Sequence, residues 1–197
     1  LTEELIPAVE KGLAVTKRLG LLGASVTQHP EFSELMEWID QERFDDVRLS
    51  VSSVRASTMN LKLSQVLSKH GSKSATIAIE SGSKRLREVV NKKLSEEQIF
   101  HAAQYAREGG LKGLKLYGMV GLPTEEKSDI EATANLLIKL KKKVSGLRLT
   151  LGVSTFVPKA HTPFQWYGVR PEAEKRLKQL AKELKSNGIN VRAESYK

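Results

Sequence analysis

Apolar and polar positions along this chain alternate between two rhythms. Leu5, Ile6, Val9 and Leu13 recur at helical spacing, which predicts an amphipathic helix over residues 2–18. Gly20 through Val26 reads as a short strand of small and apolar residues. His29-Pro30 opens a second helical pattern, with Phe32, Leu35, Met36 and Ile39 on one face. Val47 to Val54 largely alternates apolar with polar, the period of a strand. Thr58 is a candidate cap for a helix that carries Leu61, Leu63, Val66 and Leu67 and stops at Gly71. Ala75 to Ile79 is the next strand, and a short helix covers Lys84 to Val90. Ser95 and Gln98 have the spacing of a capping box, and the helix they open ends at Gly109-Gly110. Leu114 to Val120 is a strand, and Ser128 with Glu131 is a second capping-box candidate for a helix reaching Lys142. Arg148 to Phe156 alternates again as a strand. Pro171 suits the first turn of a last helix, and Ile189 to Ala193 closes the chain as a short strand.

One strand and one helix per repeat predicts consecutive parallel strands joined by right-handed crossovers. An open doubly wound sheet and part of a (β/α) barrel both follow that rhythm. The chain has no Gly-x-Gly-x-x-Gly and no Walker-type phosphate loop, which favours the barrel. The expected fold is therefore α/β: a partial, incomplete TIM-like (β/α) barrel of parallel strands with outer helices. Residues 1–170 would form the core barrel, and residues 171–197 would pack a helix and short strand against it. Residues 157–170 are irregular and rich in proline and aromatics, so they are expected to cover one end of the sheet, with Trp166 as an anchor.

In such a fold the chemistry sits where strands end. The polar groups there are Ser25 and Thr27; Ser52, Ser53 and Arg55; Glu80, Ser81 and Ser83; Gly121 and Glu125; and Ser154, Thr155 and Lys159. Taken alone, Glu80 could be a general base, a hydroxyl acceptor, or an ion-pair partner of Arg85 or Arg87. Gly82 and Gly121 either admit a ligand close to the backbone or simply make tight turns. Lys92 could meet a ligand carboxylate as a point charge.

Composition narrows this list. The chain has 197 residues, no cysteine and four histidines without metal-ligand spacing. It therefore offers no disulfide, no thiolate zinc site and no thiolate-bound iron–sulfur cluster of its own. No apolar run reaches the ~20 residues of a membrane span, so no membrane partner is expected and a cytoplasmic location is compatible. The formal net charge is +9, which would suit an acidic ligand or nucleic acid. The densest basic run, Lys139 to Lys143, sits where a helix ends and cations complement the dipole.

Three segments then match something specific. Glu80-Ser81-Gly82-Ser83, with Leu86, Val89, Val90, Asn91 and Lys92 following, resembles the fourth-strand region of radical S-adenosylmethionine enzymes. Met119-Val120-Gly121-Leu122-Pro123-Thr124-Glu125 is similar to their fifth-strand motif. Ser154 to Lys159, with His161 to Trp166, resembles the sixth-strand exit of a subgroup found with cobalamin-binding domains. The resemblance implies a barrel whose three-cysteine loop holds a 4Fe–4S cluster. That cluster, supplied by an electron donor, cleaves S-adenosylmethionine to methionine and a 5′-deoxyadenosyl radical. It implies that Glu80 and Ser81 read the ribose hydroxyls or the methionine end. Lys92 would pair with the methionine carboxylate. Val120 and Gly121 would line the adenine, and Phe156 and Val157 would offer backbone or apolar contact. Ser25, Ser53 and Arg55 complete the expected cofactor-binding set, while no residue is assigned as catalytic or as a metal ligand.

Two features depart from the family pattern. Gly23-Ala24-Ser25 stands where the family commonly has Gly-Gly-Glu, so Ser25 or a backbone carbonyl would serve the amine. The cysteine loop is absent, which reads the chain as a piece of a longer enzyme, inactive by itself and with an exposed sheet edge able to self-associate. The substrate stays unknown, and cobalamin is an open cofactor. The alternatives are a metal-independent barrel enzyme binding an anion through Arg55, Lys92 and backbone amides, and a basic module that docks RNA or a partner.

Overall fold

The computed structural model describes residues 2–194. Leu1 and residues 195–197, the end of the 171–197 segment, lie outside them. Six strands run β1 (Arg18–Leu21), β2 (Arg48–Val51), β3 (Ser74–Glu80), β4 (Gly113–Val120), β5 (Arg148–Thr155) and β6 (Asn190–Glu194). Seven helices are α1 (Thr2–Leu13), α2 (Phe32–Ile39), α3 (Leu61–Lys69), α4 (Lys84–Val89), α5 (Glu96–Glu108), α6 (Lys127–Lys143) and α7 (Ala173–Ser186).

Every strand pairing is parallel. β1 pairs with β2, and β3 to β6 pair in chain order. The two ladders meet where the Val54 N–H donates to Thr76 O (2.8 Å) and Ser72 Oγ donates to Leu49 O (2.6 Å). Strand order equals chain order with no reversal, so there is no topological switch point of a doubly wound sheet. The barrel alternative is the one the molecule adopts.

Alternation gives the sheet two unlike faces. Ile77, Ile79, Leu114, Leu116, Leu149, Leu151 and Val153 are buried and pack with the helices in one core. Thr76, Lys115 and Thr150 occupy one register row of the opposite face, and Ala78, Tyr117 and Gly152 the next. That inner face is polar and only partly covered, the lumen of an incomplete barrel.

Helix ends depart from the sequence reading in instructive ways. The first helix stops at Leu13, and the strand after it is Arg18–Leu21, because Leu22 to Ser25 turn away as a loop that exposes Leu22. β2 ends at Val51, short of Val54. Asn60, not Thr58, caps α3 by accepting from the Leu63 N–H (2.8 Å), while Thr58 donates to Thr27 Oγ1 (2.7 Å). Glu126 and Asp129, not Ser128 and Glu131, form the capping box of α6. Pro171 lies before α7, whose cap is Glu172. Trp166 is 88% exposed. The anchor of its loop is Phe164, edge-on to Phe156 at 6.2 Å and to Tyr167 at 5.4 Å. The Ser95–Gln98 capping box, the helix ends at Gly71 and Gly109 and the final strand are as expected.

Gly109 shows how tightly the outer layer packs. Its φ of −77° is ordinary, yet a Cβ there would lie 2.2 Å from Ser64 Cβ on α3. Gly109→Ala is therefore expected to destabilise the fold by about 2–3 kcal/mol through overpacking alone, read as a lowered urea midpoint with an unchanged slope.

Candidate functional site

The C-terminal rim is built around the turn after β3. Glu80 ends the strand in left-handed backbone (φ 62°), a conformation that costs a non-glycine residue about 1 kcal/mol or more. Strain of that kind gathers at functional sites. The turn turns the Glu80 carboxylate to Lys92 Nζ at 2.9 Å, with both side chains 24% exposed. Asn91 and Lys93 flank Lys92 in left-handed backbone as well. The Glu80 partner is thus Lys92, and neither Arg85 nor Arg87.

Those two arginines build the turn instead. Arg87 is buried and donates to the carbonyls of Ser81 (3.0 Å), Gly82 (2.9 Å) and Leu94 (2.8 Å). Burial pushes its guanidinium below the usual value, and the charges of Glu96 and Glu88 push back. Gly82 is required for packing, since a Cβ there would sit 2.3 Å from Thr133 Cα. Its N–H donates to Thr133 Oγ1 (3.0 Å), and Ser81 Oγ lies 3.4 Å from the same hydroxyl. The Ser81 hydroxyl is thereby turned toward α6 and buried, away from the open rim.

Asp129 on α6 ties this turn down. It accepts from Ser83 Oγ (2.5 Å), from the Glu126 N–H (2.8 Å) and from Arg85. Burial alone would raise the Asp129 pKa, but the hydrogen bonds from Arg85, Ser83 and Glu126 outweigh it and hold the carboxyl below its ordinary value.

Two clefts open on the rim. One, of about 300 Å³, is lined by Ser25, Ser53, Arg55 and Lys92, with Gln28 between them. Arg55 donates to Gln28 Oε1 (2.7 Å), and Ser25 Oγ donates to the same oxygen. Four of the expected residues therefore share one polar cleft, and a fifth, Glu80, reaches it through Lys92. An ammonium has three donors, so Lys92 can hold Glu80 and still meet an incoming carboxylate. The second cleft, of about 320 Å³, is lined mainly by Val90, Met119, Leu122, Phe156, Val157 and Phe164. Phe156 and Val157 both line it. Asn91 lines this apolar cleft and Lys92 the polar one, so one stretch of backbone joins them.

Val120 and Gly121 stand elsewhere. Val120 is buried in the helix-facing core, because Lys115 and Tyr117 set the inward parity of β4 and Met119 follows it. Gly121, at φ 79°, lies under α7, where a Cβ would be 2.6 Å from Ala173 Cβ. Its N–H donates to the buried Glu125 carboxylate (2.9 and 3.0 Å), which Arg176 also grips at 2.8 Å. Gln28 was absent from the sequence reading, and Met119 stood there only inside the fifth-strand motif, with no role. Ser25-x-x-Gln28 has capping-box spacing and Met119 has the right strand parity, so both carried a signal. Asp129, Thr133 and Arg87 had none, because their partners lie across the fold.

Comparison with known proteins now adds the family. A model of the radical SAM superfamily matches residues 1–137. The chain belongs to the radical SAM superfamily. This radical SAM chain is 36% identical over 196 residues to an uncharacterized protein of Methanocaldococcus jannaschii, covering 98% of the chain and 42% of that protein. It is 31% identical over 99 residues to an uncharacterized methyltransferase of Pyrococcus horikoshii, covering 50% of the chain and 20% of that protein. The chain thus spans less than half the length of either relative. Among solved structures, coproporphyrinogen III oxidase from Escherichia coli, described as a radical SAM enzyme, superposes with a TM-score of 0.61 at 20% identity. That match covers 88% of this chain and 41% of the oxidase. A domain of pyruvate-formate lyase-activating enzyme from Bacteroides vulgatus gives 0.56 at 12% identity, covering 89% and 98%. Both likenesses concern the fold, a partial TIM-like α/β barrel.

Radical SAM proteins generally bind S-adenosylmethionine and a 4Fe–4S cluster. The radical SAM chain has no cysteine, and among the described residues no group of three or more His, Asp or Glu could hold a metal ion. Its donor set does not fit an iron–sulfur cluster, whose ligands are thiolates. The polar cleft sets the Lys92 and Arg55 cations beside the Ser25 and Ser53 hydroxyls. No helix among the described residues is long and apolar enough to cross a membrane.

Asp129→Ala is expected to cost about 2–3 kcal/mol at neutral pH by stranding Ser83 and Arg85. The Asp129 pKa is depressed in the fold, so its contribution is present above the ordinary value of 3.8 and disappears as pH falls through the folded value. In urea titrations, the gap between wild type and Asp129→Ala should close below about pH 4.

Proposed function

We propose that the rim of this chain forms the carboxylate, ribose and adenine side of an S-adenosylmethionine site in a radical-generating enzyme. The carrying observation is the junction at Asn91-Lys92 of a polar cleft with an apolar one. A ligand with a charged amino-acid end and a flat aromatic end has that division of chemistry. Lys92 meets the carboxylate as a point charge. Glu80, held by Lys92, has lone pairs left for ribose hydroxyls. Ser25 and Ser53 offer hydroxyls to the amino-acid end, and Arg55 adds a second cation. Met119, Phe156 and Val157 supply the apolar walls for the base, where a thioether and a ring pack well against aromatic faces. Ser81 and Gly121 act from behind, by fixing the turns that aim these groups.

Superfamily membership supports radical-generating use of the cosubstrate. The cluster's thiolates would come from a part of the protein outside this chain, because none is present here. In this reading the chain binds the cosubstrate and does not cleave it. The reaction and substrate of the whole protein are those of the longer molecule.

Calorimetric titration of the 197-residue chain with S-adenosylhomocysteine tests the reading. Saturable binding is expected. Lys92→Ala should weaken it about tenfold, the scale of one charged hydrogen bond. Phe156→Ala should weaken adenosine and leave methionine unchanged. Absence of saturable binding by a chain with native circular dichroism would sink the proposal.

A further inference from the structure

The opposite end of the strands carries a second, differently built cavity. It has a volume of about 960 Å³ and opens on the N-terminal side of β2 to β6. Its walls hold Arg48 at the start of β2, Lys115 in β4, Arg148 at the start of β5 and Arg192 in β6. Lys73, Lys112 and Lys185 add three more cations from the loops and from the last turn of α7. Among the described residues no aspartate or glutamate lines it.

Among the described residues none of these seven cations forms an ion pair or a side-chain hydrogen bond. Several cations elsewhere are paired: Lys62 and Lys69 hold Asp40, Arg85 holds Asp129, and Arg176 holds Glu125. Helix C-termini face this end of a (β/α) unit and attract positive charge. That accounts for Lys73 and Lys112, just past α3 and α5, and for Lys185. It does not account for the four cations borne on strands, since a sheet has little net dipole. Lys115 is the clearest case, half-buried on the inner face between Thr76 and Thr150. Seven like charges in one concavity repel each other and focus a positive potential into it.

The wall chemistry selects the ligand. Guanidinium forks match phosphate oxygens two at a time, and ammonium groups serve them as point charges. Ser74 and Thr150 add hydroxyl donors. Among the described residues no aromatic ring lines the cavity, so they offer none of the stacking platform with which single-stranded nucleic acid is held. The volume is that of a small-molecule pocket. Tyr117 lies across Gly152, where a Cβ would be 2.5 Å from its ring. It stands on the inner face one register row toward the rim from Lys115, between this cavity and the rim clefts.

We propose that the basal cavity is a second ligand site, which binds a small anion carrying several phosphoryl groups. Its occupancy is independent of the rim, because no residue lines both. The test is calorimetric titration of the 197-residue chain with tripolyphosphate, with inorganic phosphate as the weaker comparison. Saturable binding at a single site is expected. An Arg148→Gln/Arg192→Gln double variant should weaken it at least about tenfold, the loss of charged hydrogen bonds to phosphate. A Lys142→Gln/Lys175→Gln variant removes the same charge from exposed helix positions outside the cavity and should leave binding unchanged. Circular dichroism must be native for both. Equal weakening by the two variants, or no saturable binding by the folded wild type, overturns the proposal. So does binding of single-stranded RNA that tightens with length and that tripolyphosphate cannot displace, which assigns the charge to a nucleic-acid backbone.

Discussion

The buried Arg87 guanidinium is the contact on which the rim depends. It gathers the carbonyls of Ser81, Gly82 and Leu94, which no strand or helix satisfies, into one set of charged hydrogen bonds. That clamp closes the turn between β3 and α4, and Gly82 then fits against the backbone of Thr133. With the turn closed, Glu80 is held in left-handed backbone and meets Lys92. Asp129 secures the same turn from α6 through Ser83 and Arg85. Without this clamp the polar cleft would lose the wall that carries Lys92.

The sheet explains why there is room for sites at all. One face is spent on a helix-covered core, and the other is left as a polar lumen. In a filled barrel that inner face would be packed with branched apolar side chains. Here Thr76, Lys115 and Thr150 occupy it, and these residues do not form a dry core. The two ends of the lumen differ in charge. The rim mixes signs through Glu80, Lys92 and Arg55, and it adjoins an apolar cleft. The base gathers seven cations among uncharged and hydroxyl-bearing lining residues. Different ends of one set of strands can thus present different chemistry, because alternate residues decide the lumen and loops decide the rim.

Much of the framework was legible. The apolar periods of α2 and α3 were plain, and so was the alternation of β5, because burial against one core imposes those periods directly. Strand β1 was misplaced because small residues such as Gly23 and Ala24 read equally as strand or loop. Caps were misread where two candidates stood close together: Asn60 near Thr58, and Glu126 near Ser128. A cap is decided by which side chain reaches the free N–H groups, and composition alone does not settle that. Trp166 was misjudged as an anchor because large aromatics usually bury, whereas Phe164 took the apolar seat beside Phe156.

By itself the sequence determined the repeat of strand and helix, the parallel order that follows from it, the three rim segments and the lack of thiolate ligands. Those depend on local periodicity and residue chemistry, which are written along the chain. Tertiary structure alone decided which groups meet. It paired Glu80 with Lys92, turned Ser81 toward Thr133, covered Gly121 with Ala173 and linked Ser25 to Arg55 through Gln28. It also gathered Arg48, Lys115, Arg148 and Arg192, widely separated in the chain, into one cavity. Such contacts join distant residues through strand register and helix packing, and a one-dimensional pattern holds no record of either.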